Sequence, residues 1–204
     1  MEELLLVRHG FAGSNRDAIA SCAIPGEGLT PDGVAQARAL RYALAEEGIS
    51  VALTSRLART QETLALALDG RDVPVHVAAE LDEIHFGAFD GGSLEAYRSW
   101  AAAHAPDEPP PGGGESRAQA AARFACSLHL VLTRPESCVL VVGHALAIRY
   151  ALDAAAGLVP AARMTAVEHA KPHRLGRDEV ARAASLLEEW GASGTPEFRS
   201  RGIC

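Results

Sequence analysis

The sequence predicts an α/β fold of three layers, α/β/α, in which helices flank a largely parallel central sheet. Two observations carry this prediction. The first third of the chain alternates short apolar runs with helix-like segments, as expected where helical crossovers join parallel strands. The runs at 4–7 and 139–142 contain only Leu and Val, which is typical of strands buried on both faces.

The first part of the chain is predicted to run strand, helix, strand, helix, strand. Leu4–Val7 is the first strand, and residues 11–30 form a long loop of polar and small residues. Thr30 is expected to cap a helix that begins at Pro31 and ends at Gly48, because proline suits a first helical turn and glycine a helix end. The remaining elements here are a strand at Val51–Thr54, a helix from about Leu57 to Leu68 and a strand at Val73–Val77.

The second part of the chain is predicted to add helices and a further buried strand. Pro106–Gly114 contains runs of proline and glycine and is a loop. Too little chain lies on either side of it for a domain linker, so we predict a single domain over 1–204. The predicted elements are helices at Leu94–His104, Ser116–Leu132, Leu146–Ala156 and Arg177–Trp190, strands at Val139–Val142 and Met164–Glu168, and an irregular tail after Gly191.

Composition and charge exclude several classes of function. A net charge of −7 argues against a nucleic-acid surface, which needs a basic face, but a local arginine pocket remains compatible with a small anionic ligand. No run approaches the roughly 20 apolar residues of a membrane span, and the N-terminus lacks the pattern of a secretory signal. The four cysteines show neither zinc-site nor disulfide-framework spacing, which indicates reduced thiols in a cytoplasmic protein.

Residues suited to phosphate chemistry stand where predicted strands end. They are Arg8 and His9 after the first strand, Arg59 shortly beyond the second, and His144 after Val139–Val142. Ligands of open α/β sheets bind beyond the carboxyl ends of the strands, so these side chains converge if the three strands are parallel neighbours. Each residue alone has a structural alternative, either a hydrogen-bonded histidine or a solvated arginine. Their joint placement favours a phosphoryl-transfer site, since guanidiniums bind phosphate and an imidazole can attack phosphorus.

Several motifs occur in a fixed order over roughly residues 4–146. They are Arg8-His9-Gly10, Asn15, Leu29-Thr30-Pro31-Asp32-Gly33, Ser55-Arg56-Leu57-Ala58-Arg59-Thr60, Glu83 before Phe86-Gly87, Gly113-Gly114-Glu115-Ser116 and Gly143-His144. This set resembles the histidine phosphatase superfamily, the phosphoglycerate mutase-like proteins of branch 1. Arg-His-Gly alone is a weak signal, whereas the ordered set is specific.

The resemblance implies a role for each matched residue and neither a metal nor an organic cofactor. His9 becomes a phosphohistidine, and Glu83 protonates the leaving oxygen and then activates water. The residues expected around the phosphate and substrate are Arg8, Asn15, Arg59, His144 and Ala145. Glu83 must hold a proton near neutrality, so its pKa is expected to be raised by burial or by the phosphate charge. The alternative for Glu83 is a solvated loop carboxylate.

The sequence departs from the family pattern at two places beside the site. Phe11-Ala12 stands where many members have Glu-Thr, which puts any contact made by that pair in doubt. Ala145-Leu146 follows His144 where a smaller pair is common, which predicts a bulkier pocket floor.

The choice of activity depends on the residues around the proton donor. Glu83-Ile84-His85-Phe86-Gly87 lacks the Arg and Tyr that mutases carry there, and residues 88–116 hold only one basic residue, Arg98. We therefore predict a histidine acid phosphatase-type phosphomonoesterase, a hydrolase. The alternatives are mutase-type phosphoryl transfer and a non-catalytic, phosphate-binding regulatory module.

The predicted partner is a small phosphomonoester with an uncharged or partly apolar leaving group. A variable segment, 84–116, is expected to form the substrate mouth together with the chain after Met164. Nucleic acid and membrane are not expected as partners, and a homodimer is left open. His169 and His173 are interpreted as surface histidines, because Pro172 argues against a helical metal pair. Trp100 and Trp190 are expected to pack against the body, with a place at the mouth as the alternative for Trp100.

Overall fold

The sheet has the predicted, largely parallel character. A computed structural model describes residues 1–193, and its sheet has the strand order β3-β2-β4-β1-β5. The strands β1 to β4 pair in parallel, and β5 runs antiparallel to β1 at one edge. Their bounds are β1 Glu3–Arg8, β2 Ile49–Thr54, β3 Val75–Val77, β4 Cys138–Gly143 and β5 Pro172–Gly176. Because β2, β4 and β1 are parallel neighbours, their carboxyl ends meet at one edge of the sheet.

Helices cover both faces of the sheet. Their bounds are α1 Gly13–Arg16, α2 Pro31–Ala43, α3 Ala58–Ala67, α4 Leu94–Ala103, α5 Arg117–Leu132, α6 Ala145–Ala155 and α7 Arg177–Ser193. One core cluster joins alternate strand residues such as Leu5 and Val7 to α2 and α3. The other joins their neighbours Leu4 and Leu6 to α5, α6 and α7. Successive strand side chains point to opposite faces, so the apolar runs serve both cores and give the three-layer fold.

Two helices that position the site begin at caps built by their own sequence. The Thr30 hydroxyl accepts a hydrogen bond from the Gly33 amide at 3.2 Å, as the sequence predicts for α2. Ser116 and Gln119 form a reciprocal capping box at the start of α5, with bonds of 3.1 and 2.8 Å. Such caps satisfy the free amides of a first helical turn and set where the helix begins.

The last strand differs from its prediction. Residues 164–168 form no strand, and the strand is Pro172–Gly176 instead. This segment buries Leu175 opposite Leu4, and proline is tolerated because it opens an edge strand. The long loop 11–30 also contains the short helix α1, and α7 continues beyond Trp190 to Ser193. The rest of the tail predicted to be irregular lies outside the described residues.

Within residues 1–193, no helix has both the length and the apolar character needed to cross a membrane. Cys22, Cys126 and Cys138 are thiols, and Cys204 lies outside the described residues. Trp190 packs edge-on against Tyr150 with ring centroids 6.0 Å apart, as expected of a tryptophan that packs on the body.

Candidate active site

The sheet edge brings together the residues that the sequence analysis selected. His9 follows β1 directly, His144 follows β4 at the start of α6, and Arg59 is the second residue of α3. All three are buried, with 2%, 0% and 2% of their surfaces exposed. The His9 amide donates to the Gly143 carbonyl at 3.0 Å, so the turns after β1 and β4 are fixed to each other.

His9 is held as a neutral imidazole with one nitrogen turned toward Arg59. Its Nδ1 lies 2.7 Å from the Gly10 carbonyl oxygen, which can only accept, so Nδ1 carries the proton. Nε2 therefore keeps its lone pair and lies 3.2 Å from the Nε of Arg59. Burial, followed by the charges of Arg59 and Arg8, lowers the pKa of His9 well below its usual value. At neutral pH the ring is therefore uncharged.

Gly10 is required by the close approach of the turn after β1 to the first turn of α2. A Cβ added to Gly10 would lie 2.6 Å from the Gly33 carbonyl oxygen, which is closer than van der Waals contact allows. The Gly10 amide donates to the Thr63 hydroxyl at 2.9 Å, and that hydroxyl donates to the Arg59 carbonyl at 2.6 Å. This chain of bonds ties the turn after β1 to the first turns of α3.

Arg59 and Arg8 present donors that no described residue satisfies. Arg59 uses Nη2 for the Ser21 carbonyl at 2.9 Å, and Arg8 uses Nη1 for the Val167 carbonyl at 2.7 Å. The buried Nη1 of Arg59 and Nε of Arg8 have no hydrogen-bond partner among residues 1–193. Burial lowers the pKa of Arg8 to about 10, so it stays charged at neutral pH. Unsatisfied buried donors are costly, and an anion beside them would remove that cost.

His144 lies behind the site as a buried, neutral ring. The Nη2 of Arg59 lies 3.3 Å from Nδ1 of His144 and donates to it, so the proton of the ring resides on Nε2, 2.9 Å from the Ser55 hydroxyl. Burial, with help from Arg59, lowers the pKa of His144 well below its usual value. The Ser55 hydroxyl also lies 2.7 Å from the Thr60 hydroxyl, so the series of hydrogen bonds extends from His144 to Thr60.

Glu83 is the acidic group nearest to the two histidines. Its Oε2 lies 3.7 Å from Nδ1 of His144, its Oε1 accepts from the Ile84 amide at 3.1 Å, and its side chain is 13% exposed. Burial raises the pKa of Glu83, although the charge of Arg59 opposes the shift. The direction of the shift is the one that a proton donor needs.

A cavity of about 380 Å³ opens from this group. Of the site residues predicted from the sequence, all but the enclosed His144 line it, namely Arg8, His9, Asn15, Arg59, Glu83 and Ala145. Asn15 also accepts a bond from the Ala12 amide at 3.0 Å. The apolar part of the wall includes Ile19, Ile84, Phe86, Leu94, Tyr97, Leu146 and Val167. Trp100 stacks on His104 at 4.4 Å and is not part of the wall.

The family sequence model of the histidine phosphatase superfamily (branch 1) matches residues 4–190 of this chain. The chain belongs to this superfamily. TTHB049 of Thermus thermophilus is 30% identical, with a TM-score of 0.64 over 85% of this chain and 92% of that chain. The α-ribazole phosphatase of Shigella flexneri is 26% identical, with a TM-score of 0.69 over 84% and 89%. A mycobacterial glucosyl-3-phosphoglycerate phosphatase, 24% identical with a TM-score of 0.73 over 86% and 93%, shares the fold. Among curated proteins there is no significant match.

One residue outside the superfamily motifs supports the proposed nucleophile. His169 donates from Nδ1 to the His9 carbonyl oxygen at 2.8 Å, and the two rings are 5.5 Å apart. The ring of His169 also lies edge-on to that of Phe11, with ring centroids 5.4 Å apart. Phe11, which departs from the family pattern, therefore packs against His169. Burial and the charge of Arg8 lower the pKa of His169 to about 4, which keeps the ring neutral.

The interpretation of His169 and His173 as surface histidines is wrong. Both are half-buried, because β5 pairs with β1 and the segment just before β5 lies against the turn after β1. The Ala170 amide donates to the Arg8 carbonyl at 2.9 Å, which places His169 beside His9. No local pattern signals this contact, since it joins residues 160 positions apart.

We expect His169→Phe to lower kcat on a phosphomonoester by roughly 10- to 100-fold while KM changes little, because small errors in nucleophile position are costly. His169→Asn places an amide donor near the position of Nδ1 and should recover most of the loss. Steady-state kinetics and thermal unfolding of the three proteins measure this. Equal kcat in wild type and His169→Phe, or an equal loss in both variants at matched stability, would contradict the positioning role.

Proposed function

We propose that this chain is a phosphatase that hydrolyses a small phosphomonoester through a phosphohistidine on His9. The observation that carries the proposal is the pairing of a neutral, buried imidazole with guanidinium donors that have no partner among the described residues. A neutral Nε2 can attack phosphorus, and the donors of Arg59 and Arg8 suit the equatorial oxygens of the transferred group.

The reaction needs two steps, and Glu83 serves both. Nε2 of His9 forms the bond to phosphorus while the ester oxygen leaves and takes the proton of Glu83. The carboxylate of Glu83 then accepts a proton from water, whose oxygen attacks phosphorus and releases phosphate from the ring. The enzyme returns to neutral His9 and protonated Glu83. The raised pKa of Glu83 favours the acid role, and its neighbour His144 stays neutral beside it.

Hydrolysis is favoured over mutase-type transfer by the residues at the proton donor. Ile84 and Phe86 line the cavity where mutases carry an Arg and a Tyr, and both are apolar. The relative from Shigella flexneri is named a phosphatase, which agrees with this choice. The presence of buried His9, Arg59 and His144 with Glu83 beside them argues against a binding module without catalysis.

Orthovanadate is expected to inhibit competitively, and a chelator is expected to leave the activity unchanged. Vanadate takes the trigonal geometry of the transferred phosphoryl group and would accept bonds from Arg8 and Arg59. Within residues 1–193 no cluster of three or more His, Cys, Asp or Glu side chains forms a metal site. Hydrolysis of an alkyl phosphate tests both expectations when it is measured over a range of vanadate concentrations and, separately, with and without EDTA. Activity lost to EDTA and restored by a divalent cation would overturn the cofactor-free mechanism.

The same assay separates hydrolysis from transfer. A phosphatase releases inorganic phosphate in step with the alcohol, whereas a mutase gives little free phosphate in the presence of an acceptor. The expected partner is the phosphomonoester alone, without nucleic acid or membrane. The cytoplasmic location remains a prediction, and the homodimer remains an open question.

A further inference from the structure

Three arginines line the cavity in addition to Arg8 and Arg59. Arg98 comes from α4, Arg117 is the first residue of α5, and Arg163 precedes β5. The cavity wall therefore carries five arginines but only two carboxylates, Glu83 and Glu95. This local excess of positive charge stands in a chain whose net charge is −7. An excess of one sign in a cleft attracts ligands of the opposite sign.

Protein carboxylates neutralise little of this charge. Arg163 is exposed and makes no ion pair with any described residue. Arg98 has one loose contact, 4.0 Å from Glu95, and both side chains are more than half exposed. Arg117 is 8% exposed and donates to the His104 carbonyl at 2.9 Å, with no carboxylate partner among residues 1–193. A buried guanidinium that faces a cavity without a counter-charge favours an anionic ligand there.

The wall of the same cavity also has an apolar part. Phe86 and Tyr97 meet edge-on, with ring centroids 4.7 Å apart, and Ile84 and Leu94 also line the cavity. A leaving group that fills the cavity therefore contacts apolar side chains along its body. It reaches guanidiniums other than those of Arg8 and Arg59.

We propose that the substrate is a phosphomonoester whose leaving group joins an apolar body to a second anionic group, recognised by Arg98, Arg117 and Arg163. This rests on the proposed phosphatase function and replaces the expectation of an uncharged leaving group. That expectation considered Arg98 alone, whereas the fold adds Arg117 and Arg163 from outside the segment 84–116.

The test compares para-(carboxymethyl)phenyl phosphate with its carboxyl methyl ester. The two esters have nearly the same body and leaving-group basicity and differ by one negative charge. We expect wild type to show a kcat/KM about ten-fold higher for the acid, the scale of one hydrogen bond to a charged group. The preference should fall as salt is added, because part of it is carried by exposed charges.

Variants assign the preference to the arginines. Arg98→Gln/Arg163→Gln removes two exposed charges, so the fold should persist, and the ratio of kcat/KM for the acid to that for the methyl ester should fall toward one. Arg117→Gln should also reduce the preference, with thermal unfolding as its control for stability. The matched control is Arg38→Gln, an exposed arginine on α2 outside the cavity wall, which should behave as wild type.

The outcomes separate this inference from the proposed function. Equal kcat/KM for the two esters in wild type, or an unchanged preference in both arginine variants, overturns the anionic leaving group and leaves the phosphatase proposal standing. If neither ester nor nitrophenyl phosphate gives a phosphoenzyme or free phosphate, both the anionic leaving group and the phosphatase proposal are overturned.

Discussion

Replacing His9 by alanine is expected to abolish the phosphoenzyme and to reduce phosphomonoester hydrolysis by a factor of roughly 10³ or more. His9 is the imidazole whose Nε2 faces Arg59, and its backbone is fixed by bonds to Gly143 and His169 that do not need its ring. The second ring of the site, His144, is fully buried and, unlike His9, does not line the cavity. It is therefore not placed to act as a substitute nucleophile.

The His9→Ala experiment measures phosphate release and acid-labile phosphoenzyme after incubation with nitrophenyl phosphate. His76→Ala is the matched control, since His76 is an exposed histidine of β3 outside the cavity wall. Thermal unfolding of both variants should show a folded protein, because the backbone bonds of His9 persist without its ring. Turnover near the wild-type level in a folded His9→Ala protein would end the phosphohistidine mechanism.

Replacing Glu83 by glutamine is expected to separate substrates by the basicity of their leaving groups. An alkyl phosphate leaves as a basic alkoxide and needs a proton in the transition state, whereas nitrophenolate leaves without one. General acid catalysis contributes typically ~10²–10⁴-fold, so the loss on alkyl esters should approach that range and the loss on nitrophenyl phosphate should be much smaller. The phosphoenzyme should form with the activated ester and then persist, because the same carboxylate activates water.

The pH dependence gives a second readout of Glu83. Its pKa is raised, so wild type should lose activity on alkyl esters as pH rises through that pKa and the acid loses its proton. Glu83→Gln should lack this alkaline limb. Glu46→Gln, at an exposed position of the loop before β2, is the matched control. An equal loss on both ester types would identify Glu83 as a structural carboxylate and leave the acid unassigned.

The sequence was sufficient where fold and site depend on local patterns. Apolar runs and helix caps predict β1, β2, β4 and the helices between them, because strand burial and capping are encoded within a few residues. His9 and His144 directly follow strands, and Arg59 follows one by five residues, so the parallel sheet brings them together once its order is known.

The parts that the sequence did not predict depend on contacts between distant segments. β5 is short and begins at a proline, and its partner is the far edge of β1, so the apolar residues of 164–168 were a misleading signal. The pairing of β5 with β1 is also what places His169 beside His9. The cavity arginines come from three segments that no linear pattern connects, which is why residues 88–116 alone gave too low a positive charge.

The contact between the segment 167–170 and the turn after β1 also bears on the order in which the site forms. His169 and Val167 reach His9 and Arg8 across 160 and 159 positions. The growing chain therefore carries His9, His144, Arg59 and Glu83 before the segment that contacts His9 has been made. Because β5 joins the sheet at its edge, on β1, this docking is expected to follow the pairing of β1 with β4. The support of the turn after β1 by His169 would then be among the last features of the site to form.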